Sequence, residues 1–323
     1  MTRPFRFGLH FWELPAEDWR QRVRRYEQLG FSTVTLTDHL VVPQWEPLSG
    51  LAAVAAATES LAVGSLVLDM GLREPVVTAK AAATVHRLSG GRLELGLGAG
   101  YVAANFDAAG RPFEPAADRV SRLEESVELM RQLWSQPFTT FRGRFVDVVD
   151  SPMAASEPVH PGLLIGGGGR RVLRFGGRVA DTVSMIARQV TGEWSVADSV
   201  ADSTVERMAE KAAWVREGAA AAGREPSSVE LHTMVARVAV GDDPGAAVAA
   251  ALAEDGVDPE AADRSTLYLC GTADQVLDRL RQWRAEAGIS YVSLFDPGEA
   301  QVEWLAERVV RPLAEEDRAA GLG

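Results

Sequence analysis

Apolar positions along the chain follow two alternating periods. Phe5–His10, Thr33–Asp38, Leu61–Leu68 and Leu93–Ala99 are short runs dense in apolar and β-branched residues, and they read as strands. Leu61–Leu68 is apolar almost throughout, the pattern of a strand covered on both faces. Between these runs lie segments with helical spacing: Ala16–Leu29, the alanine-rich Pro47–Ala57, and Thr78–Leu88. In the last of these, Ala82, Val85 and Leu88 recur on one face while Lys80 and Arg87 are left for water. Ser89-Gly90-Gly91-Arg92 stops that helix, because glycine enters the left-handed region cheaply at a helix end.

The alternation loosens after Ala99. Val102–Pro115 reads as an irregular excursion, Asp118–Trp134 as a strong amphipathic helix, and Phe138–Val149 as a surface hairpin around Arg142-Gly143. The pattern then resumes. Leu163–Ile165 is a strand that empties into Gly166–Gly169, followed by the helix Arg170–Val179 and the strand Thr182–Ile186. Ser199–Ala222 reads as one long helix, Val229–Val240 as a strand, and Pro244–Asp263 as alanine-rich helix plus loop. Thr272–Ala287 is a helix with Thr272 as its N-cap, Tyr291–Phe295 the last strand, and Val302–Leu313 a closing helix. Eight strands, nearly every one followed by a helix, require a parallel sheet. Eight such units close into an α/β (β/α)8 TIM barrel, here with insertions after strands four and seven. With no linker visible, residues 1–323 read as a single domain.

Composition narrows the partners. The chain is 46% hydrophobic and 24% charged, within the range of folded proteins, and its formal net charge is −12. That acidity argues against nucleic acid and anionic membrane surfaces as partners. The lone Cys270 rules out an internal disulfide framework and fits the reducing cytoplasm. No apolar signal run precedes the first strand, and Leu51–Ala57 is too short to span a bilayer. The expectation is a cytoplasmic protein.

In a barrel of this kind the active site lies at the carboxyl ends of the strands. The residues just past them are His10, Phe11 and Trp12; Asp38 and His39; Asp69 and Met70; Gly98, Gly100 and Tyr101; Gly166, Gly167, Gly168 and Gly169 with Arg170 and Arg171; Met185; and Asp296. Four glycines opening into a helix that starts with two arginines suit a phosphate group, through backbone N–H groups, the helix N-terminus and guanidinium donors. The alternative is a flexible tight turn. His39 reads as a donor to a cofactor ring or a proton shuttle, or else as a packing histidine. His86 and His160 read as structural or solvated. The carboxylates Asp38, Asp69 and Asp296 look too scattered to form an acid–base pair. No H-E-x-x-H, Cys/His cluster, G-x-S-x-G or P-loop is present, so neither a metal site nor a serine nucleophile is expected. A bound cofactor must then carry any difficult chemistry.

Asp38-His39, the run Leu88-Ser89-Gly90-Gly91-Arg92 leading into Leu95-Gly96-Leu97-Gly98-Ala99-Gly100-Tyr101, and Gly166–Gly169 together resemble the luciferase-like monooxygenase superfamily. Leu66-Val67-Leu68-Asp69 and Arg73-Glu74-Pro75 bring the resemblance nearest to its branch of F420-dependent oxidoreductases. The resemblance implies a barrel with a flavin or deazaflavin across its mouth, a small organic substrate, and pairing into a homodimer. It implies that His39 meets the polar edge of the deazaflavin, and that a non-proline cis peptide near Val67 backs the ring. It further implies that Asp38, Asp69, Gly98, Gly100, Tyr101 and Asn105 line the cofactor, and that Gly166–Gly169 with Arg170 hold its phosphate. The superfamily's sugar-phosphate dehydrogenases carry a glutamate acid after the strand-four glycines; here the residue is Tyr101, either a donor or a ring stacked on the cofactor. His10, Trp12, Trp45 and Met185 are the substrate-side candidates, the aromatic ones suggesting a flat or apolar substrate or else lid packing. Three readings follow: hydride transfer with coenzyme F420, FMN-dependent oxygenation, or a non-catalytic paralogue of the barrel.

Overall fold

Alternation along the strands sets the architecture. In RFGLHF, the odd-numbered Phe7, Leu9 and Phe11 are buried in the main apolar core, while Arg6, Gly8 and His10 point the other way. The computed structural model describes residues 2–189, 192 and 194–322. Eight strands carry this alternation: β1 (Arg6–Phe11), β2 (Thr33–Leu36), β3 (Ala62–Ser65), β4 (Leu93–Gly98), β5 (Gly162–Gly167), β6 (Thr182–Met185), β7 (Glu230–Val235) and β8 (Ile289–Phe295). Each pairs in parallel with its neighbours in chain order, and β8 returns to β1 with Arg6 opposite Tyr291, so the sheet closes on itself. Helices cover the outside, and their inner faces with the outward strand residues make the main apolar core.

The inside of the barrel is polar. Arg6 pairs with Glu94 at 2.6 Å and with Glu230 at 2.8 Å, and its guanidinium lies 3.9 Å from the centre of the Tyr291 ring. Above this level His232 bridges the hydroxyls of Ser184 and Ser293 at 2.8 and 2.9 Å, and His10 Nδ1 meets Thr35 Oγ1 at 2.9 Å.

Three segments depart from the expected pattern, each for a local reason. The third strand is not continuous over Leu61–Leu68. It breaks at the cis peptide Leu66–Val67, and Leu68–Asp69 then pairs with Leu97–Gly98. The expected single helix Ser199–Ala222 is two, Val196–Ala201 and Val205–Ala221, because the Thr204 side chain caps the second by accepting from Arg207 N–H. The strand expected over Val229–Val240 leaves the barrel at Ala236: Arg237–Val240 pairs instead with Tyr268–Gly271.

The insertions fall after β4 and β7. The first holds the short helix Ala103–Ala108, the helix Ala116–Ser135 and the hairpin Phe138–Arg142 with Asp147–Pro152. The second holds Gly245–Asp255 and Pro259–Arg264 and packs with Val200 into a small apolar cluster of its own over the mouth. Among the described residues no helix is long and apolar enough to cross a membrane, and no cluster of His, Cys, Asp and Glu is suited to a metal ion.

Candidate active site

The strand ends of the barrel surround a cavity of about 1190 Å³. Most of the expected residues line it: His10, Trp12, Asp38, His39, Val67, Asp69, Gly98, Gly100, Tyr101, Asn105, Gly166–Gly169 and Arg170. His39 and Gly166–Gly169 thus share one cavity.

Five candidates lie elsewhere: Met185, Trp45, Phe11, Asp296 and Met70, the last buried in the core. Met185 is fully buried in the core. The reason is the period of two: Ser184 faces into the barrel toward His232, so Met185 faces the helices, and Ser184 and Ile186 line the cavity in its place. Trp45 packs edge-on against Trp19, 5.7 Å between rings, and close over Gly50, outside the cavity. Phe11 is likewise a core residue.

One wall of the cavity is held by side-chain hydrogen bonds. His39 follows β2 and is half-buried. Its ring lies 5.4 Å from that of Trp12 and 6.4 Å from that of Tyr101, the latter perpendicular; Trp12 in turn meets Phe295 edge-on at 5.6 Å. Burial lowers the pKa of His39, with the Asp38 charge acting in the opposite sense. Asn105, expected along the cofactor, lines the cavity and is also bonded to protein. Its amide nitrogen lies 2.8 Å from His39 Nδ1, and its oxygen accepts from the N–H groups of Leu40 at 2.9 Å and Val41 at 3.3 Å.

Asp38 is also occupied. Arg73 donates to it from Nε at 2.6 Å and Nη2 at 2.7 Å, and the Asp69 N–H donates at 2.9 Å. Asp38 and Asp69 therefore meet, contrary to their separation in sequence, while Asp296 does not line the cavity. Asp69 accepts one bond, from the Gly71 N–H at 2.8 Å, and burial pushes its pKa up to about 6. His10 is buried and kept neutral, its pKa lowered by desolvation to about 3.

The opposite wall is shaped by absent side chains. A Cβ on Gly98 would lie 2.5 Å from Val67 Cγ2, and one on Gly166 would lie 2.9 Å from Val67 Cγ1. The Val67 isopropyl group takes the room those glycines leave. Gly100 yields its space to the Asp69 carboxyl group, and Gly168 lies against the backbone leaving β6. Only Gly169 in this cluster faces open space. It is the N-cap of the helix Arg170–Val179 and makes no side-chain cap, which leaves first-turn N–H groups at the cavity edge. The two arginines that follow are paired: Arg170 with Glu217 at 3.1 Å, Arg171 with Glu124 at 2.6 Å.

Several lining residues escaped the sequence reading. Phe295 closes β8 one residue before Asp296, so strand alternation could have found it. Met234 lies on β7 with the inward parity of His232, so alternation could have found it too. Leu267 and Tyr268 reach the cavity through the β7 insertion, and Arg119 through a helix after β4. Nothing in the spacing of these last three marks them, because long loops bring them in.

Residues 12–257 match the luciferase-like monooxygenase family, and the chain belongs to it. Among curated relatives, the F420-dependent glucose-6-phosphate dehydrogenase of Amycolatopsis mediterranei (strain U-32) is 32% identical over 164 residues, 49% of each chain. That of Intrasporangium calvum is 33% identical over 188 residues, 53% of this chain and 55% of the relative. The chain thus spans about half the length of the curated relatives it matches. Solved structures agree on the fold. An F420-dependent secondary alcohol dehydrogenase, solved with an F420–acetone adduct, superposes with TM-score 0.80 at 19% identity, covering 96% of this chain and 99% of its own. A long-chain alkane monooxygenase gives 0.78 at 16% identity, covering 98% and 92%.

Proposed function

We propose that this protein is an oxidoreductase that moves a hydride between coenzyme F420 and a small organic substrate. The single observation that carries the proposal is the pairing of two unlike walls around one cavity: a hydrogen-bonded wall with His39, and a wall of close-packed glycines ending in an uncapped helix. The curated relatives that match half of the chain are F420-dependent, which favours the deazaflavin over FMN.

The residues present fit such a cofactor. Val67, seated between Gly98 and Gly166, offers a smooth apolar bulge against which a flat ring can lie. Gly169 has open space where a Cβ would intrude, and the N–H groups of Arg170, Arg171 and Val172 begin a helix there, which suits a phosphate. Bound F420 supplies the hydride chemistry itself. The chain's own residues position the reactants and exclude water. Trp12, Tyr101 and Phe295 form an aromatic face beside His39 for the substrate. His39 hydrogen-bonds a polar atom at the reacting end, and Tyr101 keeps its proton, since burial raises its pKa.

A sugar phosphate is not the favoured substrate. The position after Gly100 is Tyr101 rather than a carboxylic acid. Four of the five arginines lining the cavity are engaged within the protein: Arg170 and Arg171 with glutamates, Arg237 with Asp255, and Arg119 with the Gly100 carbonyl; the fifth is Arg188. Incubating the protein with reduced F420 and a panel of ketones, quinones and enones, and with oxidised F420 and alcohols, tests the reading. Substrate-dependent change in F420 absorbance supports it. Oxygen consumption with FMN and none with F420 would replace it with the oxygenase reading.

A further inference from the structure

We infer that Asn105 is a positioning residue that fixes the tautomer of His39, so that the imidazole presents an Nε2–H donor to the cavity. The backbone N–H groups of Leu40 and Val41 both point at one terminal atom of the Asn105 side chain, at 2.9 and 3.3 Å. A backbone N–H only donates, so that atom is the amide oxygen. The other terminal atom is therefore the NH2 group, and it lies 2.8 Å from His39 Nδ1. An amide NH2 only donates, so Nδ1 accepts and carries no proton. In neutral imidazole the proton then sits on Nε2, the nitrogen turned away from Asn105. Asn105 is 1% exposed, which leaves water little part in exchanging these roles.

The same contact resists the imidazolium form. A proton on Nδ1 would face the Asn105 NH2 group. Burial acts in the same direction. The other titratable groups around His39 do not reverse this. Asp38 on its own loop is bonded to Arg73 and the Asp69 N–H; His10 from β1 is neutral; Tyr101 from the segment after β4 is protonated. His39 is thereby a neutral hydrogen-bond donor, suited to a carbonyl or alkoxide oxygen or to an acceptor atom of a ring. It is unsuited to taking a proton through Nδ1. The consequence for turnover rests on the proposed F420 reading; the tautomer itself does not.

The test is 15N NMR of the histidine side chains in the full-length protein without cofactor, with His39→Ala identifying the His39 signals. At pH 7.5 His39 should show an unprotonated Nδ1 and a protonated Nε2. Asn105→Asp retains an acceptor for Leu40 and Val41 and turns the second atom into an acceptor. It should reverse the tautomer and raise the His39 titration midpoint by about one to three pH units. Asn105→Ala should give a mixture of tautomers. Thermal unfolding of each variant reports whether it folds, and the wild-type spectrum tests the tautomer even if the variants do not fold. A wild-type Nδ1–H tautomer, or an unchanged tautomer in a folded Asn105→Asp protein, overturns the inference. With F420 and a turned-over carbonyl substrate, Asn105→Asp should lower kcat more than it raises KM and shift the pH profile toward that of the raised midpoint. Failure of that arm alone, with the NMR result intact, points at the F420 reading instead.

Discussion

The two walls of the cavity are made in opposite ways. The His39 wall is specified by side chains that hold one another: Asn105 spans from the β4 insertion to the loop after β2, and Arg73 fixes Asp38. The glycine wall is specified by what is missing, with Val67 filling the space left at Gly98 and Gly166. A hydrogen-bonded wall sets chemistry and direction. A close-packed wall sets shape. Substitutions should therefore fail differently on the two sides: turnover suffers on the first, stability and ligand fit on the second.

The largest expected effect is on the first wall. His39→Ala should reduce F420-linked turnover by roughly 10²–10³-fold, the range of a positioned polar group in a reaction, with F420 affinity changed only a few-fold. Steady-state kinetics alongside a binding titration separate the two, and unchanged turnover removes His39 from the mechanism. Next is Gly169→Asp. An aspartate N-cap should stabilise the helix Arg170–Val179 by a few tenths of a kcal/mol, yet place a negative charge where a phosphate would sit. A like-charge cost of about 2.8 kcal/mol corresponds to roughly 100-fold weaker F420 binding. A higher melting temperature together with intact binding would show that the phosphate lies elsewhere.

On the packed wall, Gly98→Ala brings a methyl group onto Val67 and should cost about 1–3 kcal/mol of stability. Adding Val67→Ala should recover part of that loss, and denaturant unfolding of the two single variants and the double variant measures the coupling. The smallest effect is pH-dependent. The folded pKa of Asp69 is raised to about 6 from 3.8, so its ionisation opposes folding above about pH 6, and the penalty fades as pH falls toward 4. Asp69→Asn removes the charge and keeps an acceptor for the Gly71 N–H. It should stabilise the protein by roughly 1–3 kcal/mol at pH 8 and by little at pH 4. Equal effects at both pH values would place the carboxyl group in water.

Much of the barrel is legible in the sequence because both of its signals are local. RFGLHF shows its inward Arg6 and His10 by alternation, and Gly90 and Gly91 end a helix with φ of 66° and 92°. The helices Pro47–Ala57 and Arg170–Val179 lie where the sequence places them. Strand ends also deliver most of the lining. Met185 fails because being at a strand end is not enough: its parity points it outward. Trp45 fails because an aromatic near the mouth packs as readily on the outside. The meeting of Asp38 with Asp69, the grip of Asn105 on His39, and the filling of glycine space by Val67 are long-range contacts, 31 or more residues apart. No local pattern encodes them.

The most direct test of the central claim is equilibrium titration of the purified protein with F420 and with FMN, followed by fluorescence. Saturable F420 binding, weakened roughly 100-fold by Gly169→Asp and nearly unchanged by His39→Ala, is the predicted result. Binding of FMN alone, or of neither cofactor, contradicts it.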